Sequence, residues 1–304
     1  MKKICLAVLT TISCLGLKAQ QESVFTQYVT NMQGINPAYV GSRGTLTANL
    51  LHRSQWTGID DAPRTQTFTL NSPVYNENFG VGFAILNDRI GPINTTLMNV
   101  DLAGRIKVNE GGGYLSAGIK LGLNFFRANI TGLNINDPDP NFTQNVSSTL
   151  PNVGVGMYYH TPKFYLGVSA PRLIDNLLAR GEQVAGQARE RRHFYLATGT
   201  IFNLNADWKI QPAFLFYVPE RAPTTFNLSS QFIFQDRIWL GAGWRWDESV
   251  NALVGYNFNK TIRMMYSYDF LIGELRPFSG GSHEISLLYD LPLKSQRIQN
   301  PRYF

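Results

Sequence analysis

The part of the chain that decides the fold is residues 224–268, TTFNLSSQFIFQDRIWLGAGWRWDESVNALVGYNFNKTIRMMYSY. It contains four runs in which apolar side chains alternate with polar side chains or glycine. In the third run, Val250 and Val254 fall on one face, whereas Asn251 and Gly255 fall on the other. A period of two residues predicts β-strands with one apolar face.

The length of these runs indicates where the strands lie. Each run has about nine to eleven residues, the length that a tilted strand needs to cross a bilayer. Strands in soluble sheets are shorter, typically about five or six residues. Aromatic side chains near the ends of the runs are typical of strands whose ends lie at the lipid headgroups. The pattern therefore predicts a transmembrane β-barrel.

The alternation continues on both sides and predicts about fourteen strands within residues 45–291. Connections after even-numbered strands are short, as at 161–163 and 235–237, and the long ones, 127–151 and 171–191, follow odd-numbered strands. Bacterial barrels have short periplasmic turns and longer extracellular loops. We therefore expect an all-β, antiparallel barrel whose first strand runs outward.

The composition agrees with a barrel that is wetted by lipid outside and by water inside. Of the 304 residues, 44% are hydrophobic, 12% are aromatic and only 16% are charged. No apolar run after residue 17 approaches the roughly 18 residues of a spanning helix. Because lipid leaves backbone groups no external partner, a closed barrel is the remaining way to cross the membrane.

Residues 1–19 resemble a secretory signal, with Lys2 and Lys3 before an apolar core and a plausible cleavage site at 17–19. Loss of Lys2, Lys3 and Lys18 with the signal lowers the formal net charge from +6 to +3. Such a mild excess of positive charge argues against a nucleic-acid partner.

Both cysteines of the chain, Cys5 and Cys14, lie inside the expected signal. The mature chain is then expected to have neither a disulfide nor thiol chemistry.

Residues 20–44 precede the first strand and show no sustained period. They are polar and aromatic, and Asn36-Pro37 is a turn signal. The segment is either a disordered leader or a folded plug in the barrel mouth, and the turn signal favours the plug. After the barrel, residues 292–304 are expected to form a C-terminal periplasmic tail.

Charged side chains fall on the polar face of the predicted strands, which would line the barrel lumen. The lumen-facing charged residues are Arg53, Arg105, Lys107, Lys120, Lys209, Arg245 and Arg263, together with Asp101 and Glu284. A charged lumen is compatible with a pore lining, a docking surface for a polypeptide, or a packed polar core. The sequence does not choose among these.

Signals for catalysis or metal binding are weak. The four histidines lie in different predicted strands without ligand spacing, and residues 136–141 lack the glycine and terminal glutamate of a calcium loop. Ser54 near His52 is the one candidate for a hydrolase nucleophile and base. We predict no catalytic site, no cofactor and no metal.

Three arginines, Arg189, Arg191 and Arg192, form a basic cluster in the second long loop. It fits a solvated loop end that touches anionic headgroups or lipopolysaccharide phosphates, or alternatively an acidic protein partner.

Short motifs that combine polar, aromatic and turn-forming residues punctuate the chain. They are Gln27-Tyr28, Asn31, Asn36-Pro37-Ala38-Tyr39-Val40-Gly41, Arg53-Ser54-Gln55-Trp56, Pro63 with Thr65, Asp88 with Gly91-Pro92, Ser282-His283-Glu284-Ile285 and Pro301-Arg302-Tyr303-Phe304. In this order, the motifs resemble the PorP/SprF family of outer-membrane proteins along the whole mature chain.

The resemblance implies a fourteen-stranded outer-membrane barrel associated with the type IX secretion system. Such proteins assist the delivery or attachment of secreted surface proteins, including gliding adhesins, or couple to periplasmic components of the machine. The resemblance implies no catalysis and no cofactor.

The function we expect is therefore that of a non-enzymatic outer-membrane barrel subunit that engages the C-terminal domain of a secreted type IX cargo protein or adhesin. The alternative is an outer-membrane transport barrel for small hydrophobic or polar solutes.

Overall fold

The computed structural model describes residues 24–74, 78–108, 112–131, 145–177, 192–220, 223–273, 275–293 and 303–304. Antiparallel strands dominate these residues. The strands are β1 (Thr45–Ser54), β2 (Arg64–Val74), β3 (Phe79–Ile90), β4 (Ile93–Lys107), β5 (Tyr114–Ala128), β6 (Val146–His160), β7 (Phe164–Arg172), β8 (His193–Thr200), β9 (Phe202–Asn203), β10 (Trp208–Pro219), β11 (Thr225–Phe234), β12 (Ile238–Arg245), β13 (Ser249–Asn257), β14 (Ile262–Leu271) and β15 (Ser282–Pro292).

The sheet closes on itself. Strand β1 pairs with β15 from Thr45 opposite Pro292 to Ser54 opposite His283, and the other strands, apart from β8 and β9, pair with their neighbours in chain order. Strands β8 and β9 both pair with β10 and form one crossing that is interrupted at Ile201. Within the described residues the fold is thus a closed, antiparallel, fourteen-stranded barrel, which confirms the predicted all-β barrel and its strand number.

Burial alternates along the strands as the period of two requires. On β13, Asn251 is 3% exposed and faces inward, whereas Val254 is 47% exposed and faces outward. Leu253 is also buried, so the inward face contains apolar as well as polar side chains. The outward face carries the exposed apolar side chains that lipid covers in a membrane barrel.

Connections of two kinds lie at the two ends of the barrel. The turns at 161–163, 235–237 and 258–261 lie at one end, together with residues 108 and 112–113, and we call it the short-turn end. The described residues of the two longest connections, 129–131 and 145 between β5 and β6, and 173–177 and 192 between β7 and β8, lie at the opposite, long-loop end. The long-loop end corresponds to the cell surface.

Helical structure is sparse. A four-residue α-helix, Met32–Ile35, and a 3-10 helix, Pro37–Tyr39, precede β1, and a second 3-10 helix, Arg276–Phe278, precedes β15. No helix in the described part of the chain is long and apolar enough to cross a membrane.

Three neighbouring strands, β4, β5 and β6, have fifteen residues each. They exceed the roughly nine to eleven residues that a crossing requires. At the long-loop end, Thr96 pairs with Phe125, which in turn pairs with Thr149. Residues 93–96, 125–128 and 146–149 therefore extend the sheet, and we call this extension the outer ledge.

The outward face tolerates charge to a degree that depends on depth. Val254 lies in the middle of β13, while Phe258 lies just beyond its short-turn end, and both are exposed. Relative to alanine at the same position, we expect arginine at Val254 to cost about 2–4 kcal/mol and arginine at Phe258 about 0–1 kcal/mol. Unfolding by denaturant in lipid vesicles measures both values. Equal costs at the two positions would contradict the assigned membrane depth.

Candidate functional site

Residues 24–44, here called the interior segment, lie against the inward faces of the strands. Almost all of its side chains are buried, and Ala38 and Val40 are 0% exposed. Thr26 contacts Asp269, near the long-loop end of β14, and Arg43 contacts Asp290, near the short-turn end of β15. The segment therefore runs from one end of the barrel to the other.

A buried ionic network lies near the long-loop end. Arg53 contacts Asp269 at 2.7 Å and Glu284 at 3.0 Å. Arg245 contacts Glu248 at 2.7 Å and Asp269 at 3.5 Å. Because an unpaired buried charge is costly, each of these groups is stable here only while its partners are present.

The interior segment completes this network. The main-chain N–H groups of Thr26 and Gln27 donate to the two Glu284 carboxylate oxygens at 3.1 and 2.8 Å. The Thr26 hydroxyl donates to Asp269 at 2.6 Å and accepts from Arg245 at 3.0 Å. The carboxylates thus hold two strands and the interior segment together through charge-assisted hydrogen bonds.

A second polar cluster lies halfway along the interior. Lys120 Nζ lies 2.8 Å from Asp101 Oδ1. The amide of Gln33 donates to Asp101 at 3.0 Å and accepts from Asn71 at 3.0 Å, and Lys120 donates to the main-chain oxygen of Gln33 at 3.3 Å. Gln33 therefore binds groups on three strands, on β2 and β4 through its side chain and on β5 through its main-chain oxygen.

Arg105 binds the backbone of the interior segment. Its two terminal nitrogens donate to the main-chain oxygens of Gly41 at 2.7 Å and Val40 at 2.9 Å. The guanidinium thereby supplies hydrogen bonds to carbonyl groups of a segment that is not itself a strand of the sheet.

Inward-facing glycines make room for the interior segment. A Cβ atom added at Gly80 would lie 2.0 Å from the Val40 oxygen, and one added at Gly118 would lie 2.5 Å from the Ala38 nitrogen. At Gly156 it would lie 2.2 Å from the Asn36 side chain. Glycine inside a strand often marks a close approach of another backbone, and that is its role here.

The short-turn end carries a third set of contacts. Arg43 forms an ion pair with Asp290 at 2.7 Å and also donates to the main-chain oxygen of Phe304. The Phe304 ring packs against Tyr165 with 4.8 Å between ring centroids. The last described residues therefore contact the interior segment and the barrel wall.

Tyr303 joins this set from the preceding position. Its hydroxyl donates to Asp236 at 3.0 Å and accepts from Lys209, which itself contacts Asp236 at 2.6 Å. Burial raises the pKa of the Tyr303 hydroxyl, so that it remains protonated and can donate at neutral pH.

The charged residues that were expected in the lumen fall into two groups. Arg53, Arg105, Lys120, Arg245 and Arg263 are buried. Lys209 is partly exposed at the short-turn end, and Lys107, the last residue of β4, is exposed. Arg263 lies over the ring of Trp239, 4.0 Å from its centroid.

Asp101 and Glu284 were expected in the lumen, but Asp269, Asp290 and Arg43 were not singled out as site residues from the sequence. Asp269 and Asp290 occupy inward positions near the ends of β14 and β15. An acidic residue at an inward strand position requires a cation nearby, and that rule was the available signal.

The motif residues divide between the interior segment and the long-loop end. Gln27, Tyr28, Asn31, Asn36, Pro37, Ala38, Tyr39 and Gly41 belong to the interior segment, whereas Arg53, Gln55, Trp56, Asp88, Gly91 and Pro92 lie near the long-loop end. Asp88 accepts from the Thr65 hydroxyl at 2.6 Å, and the main-chain N–H of Trp56 donates to the Ser282 hydroxyl oxygen at 3.2 Å. Gly91 forms the tight β3–β4 turn at a φ of 53°.

Some candidates from the sequence lie outside the described residues. These are the signal residues 1–19, the possible calcium loop 136–141, and Arg189 and Arg191 of the basic cluster. Among the described residues no group of histidine, cysteine, aspartate or glutamate is arranged to hold a metal ion.

A small cavity lies beside the interior segment at mid-height. It has a volume of about 60 Å³ and lies between this segment and the inward faces of neighbouring strands, near Lys120 and Asn152. A water molecule occupies roughly 30 Å³ of liquid. The cavity is therefore on the scale of a few waters.

The family model for the type IX secretion system membrane protein PorP/SprF matches residues 17–289. The chain belongs to the PorP/SprF family. This PorP/SprF protein is thus a type IX secretion outer-membrane barrel, and both its family and its fold are of non-enzymatic secretion and transport kinds. The family also suggests association with other secretion components. No curated protein matches the chain.

Solved structures resemble this PorP/SprF protein in fold. The CymD monoaromatic hydrocarbon channel has a TM-score of 0.51 and 11% identity, covering 89% of this chain and 94% of its own. Omp33 of Acinetobacter baumannii has a TM-score of 0.48 and 7% identity, covering 82% and 100% respectively. A Pseudomonas aeruginosa FadL homologue has a TM-score of 0.45 and 14% identity, covering 84% and 92% respectively. Identities this low speak for the fold alone.

Substitution of the inward-facing glycines directly tests how the interior segment is held. Gly118→Ala places a methyl group against Ala38, whereas Gly104→Ala adds one where the nearest atom is 3.9 Å away. With a buried reporter, Ser42→Cys, we expect Gly118→Ala to speed maleimide labelling at least about tenfold, a shift of about 1.4 kcal/mol in the opening equilibrium. Gly104→Ala should leave the rate unchanged. If both variants label at the reference rate, the glycines are not required for packing of the segment.

Proposed function

We propose that this PorP/SprF protein holds or passes secreted type IX cargo at the cell surface by engaging the cargo's C-terminal domain at the long-loop end. We further propose that residues 20–44 act as a plug. The observation that carries the proposal is the packing of the interior segment along the barrel, which leaves the outer surface as the place for a polypeptide partner. The adaptor role itself requires no catalytic group.

The plug proposal is supported by contacts at three heights. Glu284 holds the segment near the long-loop end, Asp101 binds Gln33 halfway along the interior, and Asp290 pairs with Arg43 near the short-turn end. A solute pathway requires all three sets of contacts to open together. The cavity of about 60 Å³ beside the segment is too small for most solutes.

The transport alternative has less support. The hydrocarbon channel CymD shares the fold, but its sequence is only 11% identical, so its substrate does not transfer to this chain. The features that would favour transport are a continuous pathway or a solute pocket beside residues 24–44. The contacts of the interior segment favour the adaptor instead.

The outer ledge is the surface that we propose for cargo. Its side chains beyond the bilayer are largely polar, with Asn94, Thr95, Arg127, Ser147 and Thr149 among them. These residues continue the barrel sheet away from the membrane, so a partner can reach them without entering lipid.

One edge of the ledge favours pairing with an added strand. Strand β6 pairs with β7 only from Val155 onward, and on that side no described strand is in register with Ser147 or Thr149. The oxygens of Val153 and Pro151 accept from Leu173 and from Asn176 there, at 2.8 Å in each case. Odd-numbered residues of this stretch therefore direct their main-chain groups away from β5.

By the same alternation, Thr149 and Ser147 direct their main-chain N–H and C=O groups to the open side. A partner that adds a strand at such an edge gains main-chain hydrogen bonds there. Pro151 has no N–H to donate, so pairing with an added strand ends there, on the side nearer the membrane. We therefore propose that an extended strand of the cargo domain pairs with residues 147–149.

Two further contacts complete the proposal. The short-turn end, where Tyr303 and Asp236 lie, would face periplasmic components of the secretion system. The exposed apolar faces of the strands would contact outer-membrane lipid, and Arg192, with a half-exposed side chain, would reach lipopolysaccharide.

The cargo edge can be tested at a single position. Thr149→Pro removes the edge N–H, whereas Thr149→Val keeps it and preserves side-chain shape. We expect the proline variant to bind a purified cargo C-terminal domain at least about tenfold more weakly, the equivalent of about one net hydrogen bond. The valine variant should bind like the parent protein. Binding is measured with barrels reconstituted in lipid nanodiscs after a check of assembly by heat-modifiable mobility.

The outcomes separate two claims. Equal binding by the proline and valine variants would move the docking surface away from this edge. No binding of any type IX cargo domain by the parent protein, together with ready passage of solutes or ions, would favour the transport alternative.

A further inference from the structure

A polar cluster interrupts the outward face of β1 and β2 near the long-loop end. Along β1 the outward side chains change from Leu50 to His52 and Ser54, and along β2 they change from Phe68 to Gln66 and Arg64. His52 pairs with Gln66, and Ser54 pairs with Arg64, in the strand register. We call His52, Ser54, Arg64 and Gln66 the outer-face cluster.

The geometry of the cluster is that of an activated hydroxyl. His52 Nε2 lies 3.0 Å from Ser54 Oγ, within the range for a nucleophile and its base. The amide of Gln66 lies 3.5 Å from His52 Nδ1 on the opposite side of the ring. With the amide oxygen turned toward the ring, Gln66 accepts from Nδ1–H and leaves Nε2 free to take the Ser54 proton.

A cavity opens beside the hydroxyl. It has a volume of about 380 Å³ and is lined by His52, Ser54, Arg64, Ile59 and Ala62, among others. The apolar side chains suit an acyl chain, while Arg64, which is opposite Ser54 in the strand register and lines the same cavity, supplies a cation that suits an oxyanion or a phosphate. The cavity thus combines a nucleophile, a base and a cation.

The height of the cluster matches the ester groups of lipids. The outward face is apolar up to Leu50 and Phe68 and polar from His52 and Gln66 onward. This change marks the boundary between hydrocarbon and headgroups. Acyl ester carbonyls of membrane lipids lie at that boundary, and at this end of the barrel the boundary belongs to the outer leaflet.

We propose that the outer-face cluster hydrolyses acyl esters of outer-membrane lipids, with Ser54 as the nucleophile, His52 as the general base and acid, and Gln66 as a positioning residue. Ser54 Oγ attacks the ester carbonyl carbon while its proton passes to His52 Nε2. The tetrahedral intermediate collapses, the lipid alcohol leaves with that proton, and an acyl-serine remains. Water, deprotonated by His52, then releases the fatty acid and restores the Ser54 hydroxyl.

This activity is separate from the proposed cargo role. The outer-face cluster lies on β1 and β2 and faces lipid, whereas the outer ledge belongs to β4, β5 and β6. Loss of one function therefore leaves the other measurable. If the hydrogen bond between Ser54 and His52 is purely structural, the Ser54 hydroxyl is unreactive. If His52 acts as a base, the Ser54 hydroxyl reacts with electrophiles.

Reaction with a fluorophosphonate probe distinguishes the two cases, because it modifies only activated serines. We expect the full-length barrel in detergent–phospholipid micelles to be labelled at Ser54, as located by mass spectrometry. Ser54→Ala should abolish labelling, and His52→Ala should slow it about 100-fold or more. Ser72→Ala, on the outward face of β2 at its short-turn end, where the hydroxyl donates to the Pro73 main-chain oxygen, should leave labelling unchanged. Assembly of each variant is checked by heat-modifiable mobility.

Turnover identifies the substrate. Fatty-acid release is followed with phosphatidylethanolamine–phosphatidylglycerol vesicles in one arm and with purified lipopolysaccharide in the other, and release in either arm that depends on Ser54 supports the proposal. Gln66→Leu should lower kcat with little change in KM, and Gln66→Asn should restore part of the rate.

An assembled barrel that neither reacts with the probe at Ser54 nor releases fatty acid in either arm would overturn the proposal. The same holds if Ser54→Ala retains the parent rate.

Discussion

The structure depends on the neutralisation of charges that lie inside a barrel surrounded by lipid. Arg53 on β1 and Glu284 on β15 face each other across the seam that closes the sheet. The same carboxylate accepts the main-chain N–H groups of Thr26 and Gln27. One ion pair therefore contributes both to the seam of the barrel and to the placement of the interior segment, and removal of either partner would leave a buried charge uncompensated.

Close packing also holds the interior segment in place. The inward glycines at positions 80, 118 and 156 leave room for the backbone of residues 36–40, and Arg105 binds its carbonyl oxygens. Because the interior is devoted to the protein's own chain, we assign interaction with other molecules to the outside. We propose the strand edge of the outer ledge for a protein partner and the polar cluster on β1 and β2 for lipid.

The sequence predicts the strands best where one face is apolar and the other polar, as along β13. It places the start of strand six near Val153, but β6 begins at Val146. Ser147, Ser148 and Thr149 are polar on both faces because this part of the strand is outside lipid, so no alternation marks it. The interruption at Ile201 had no local signal either.

Only part of the ionic network could be predicted from the sequence. Alternation places Arg53 and Glu284 on the inward face, but their contact depends on the register between the first and last strands, which are more than 200 residues apart. The interior segment lacks any period, because its contacts are to side chains on many strands. Its motifs became interpretable only beside the glycines and carboxylates that they touch.

The central claim, that residues 24–44 are an integral part of the barrel interior, is tested most directly by hydrogen exchange on the protein in lipid nanodiscs. We predict that the amides of Thr26, Gln27 and the helical turns at 32–39 exchange as slowly as those of β1 and β15. Complete exchange of these amides within seconds, while the strands stay protected, would contradict the account.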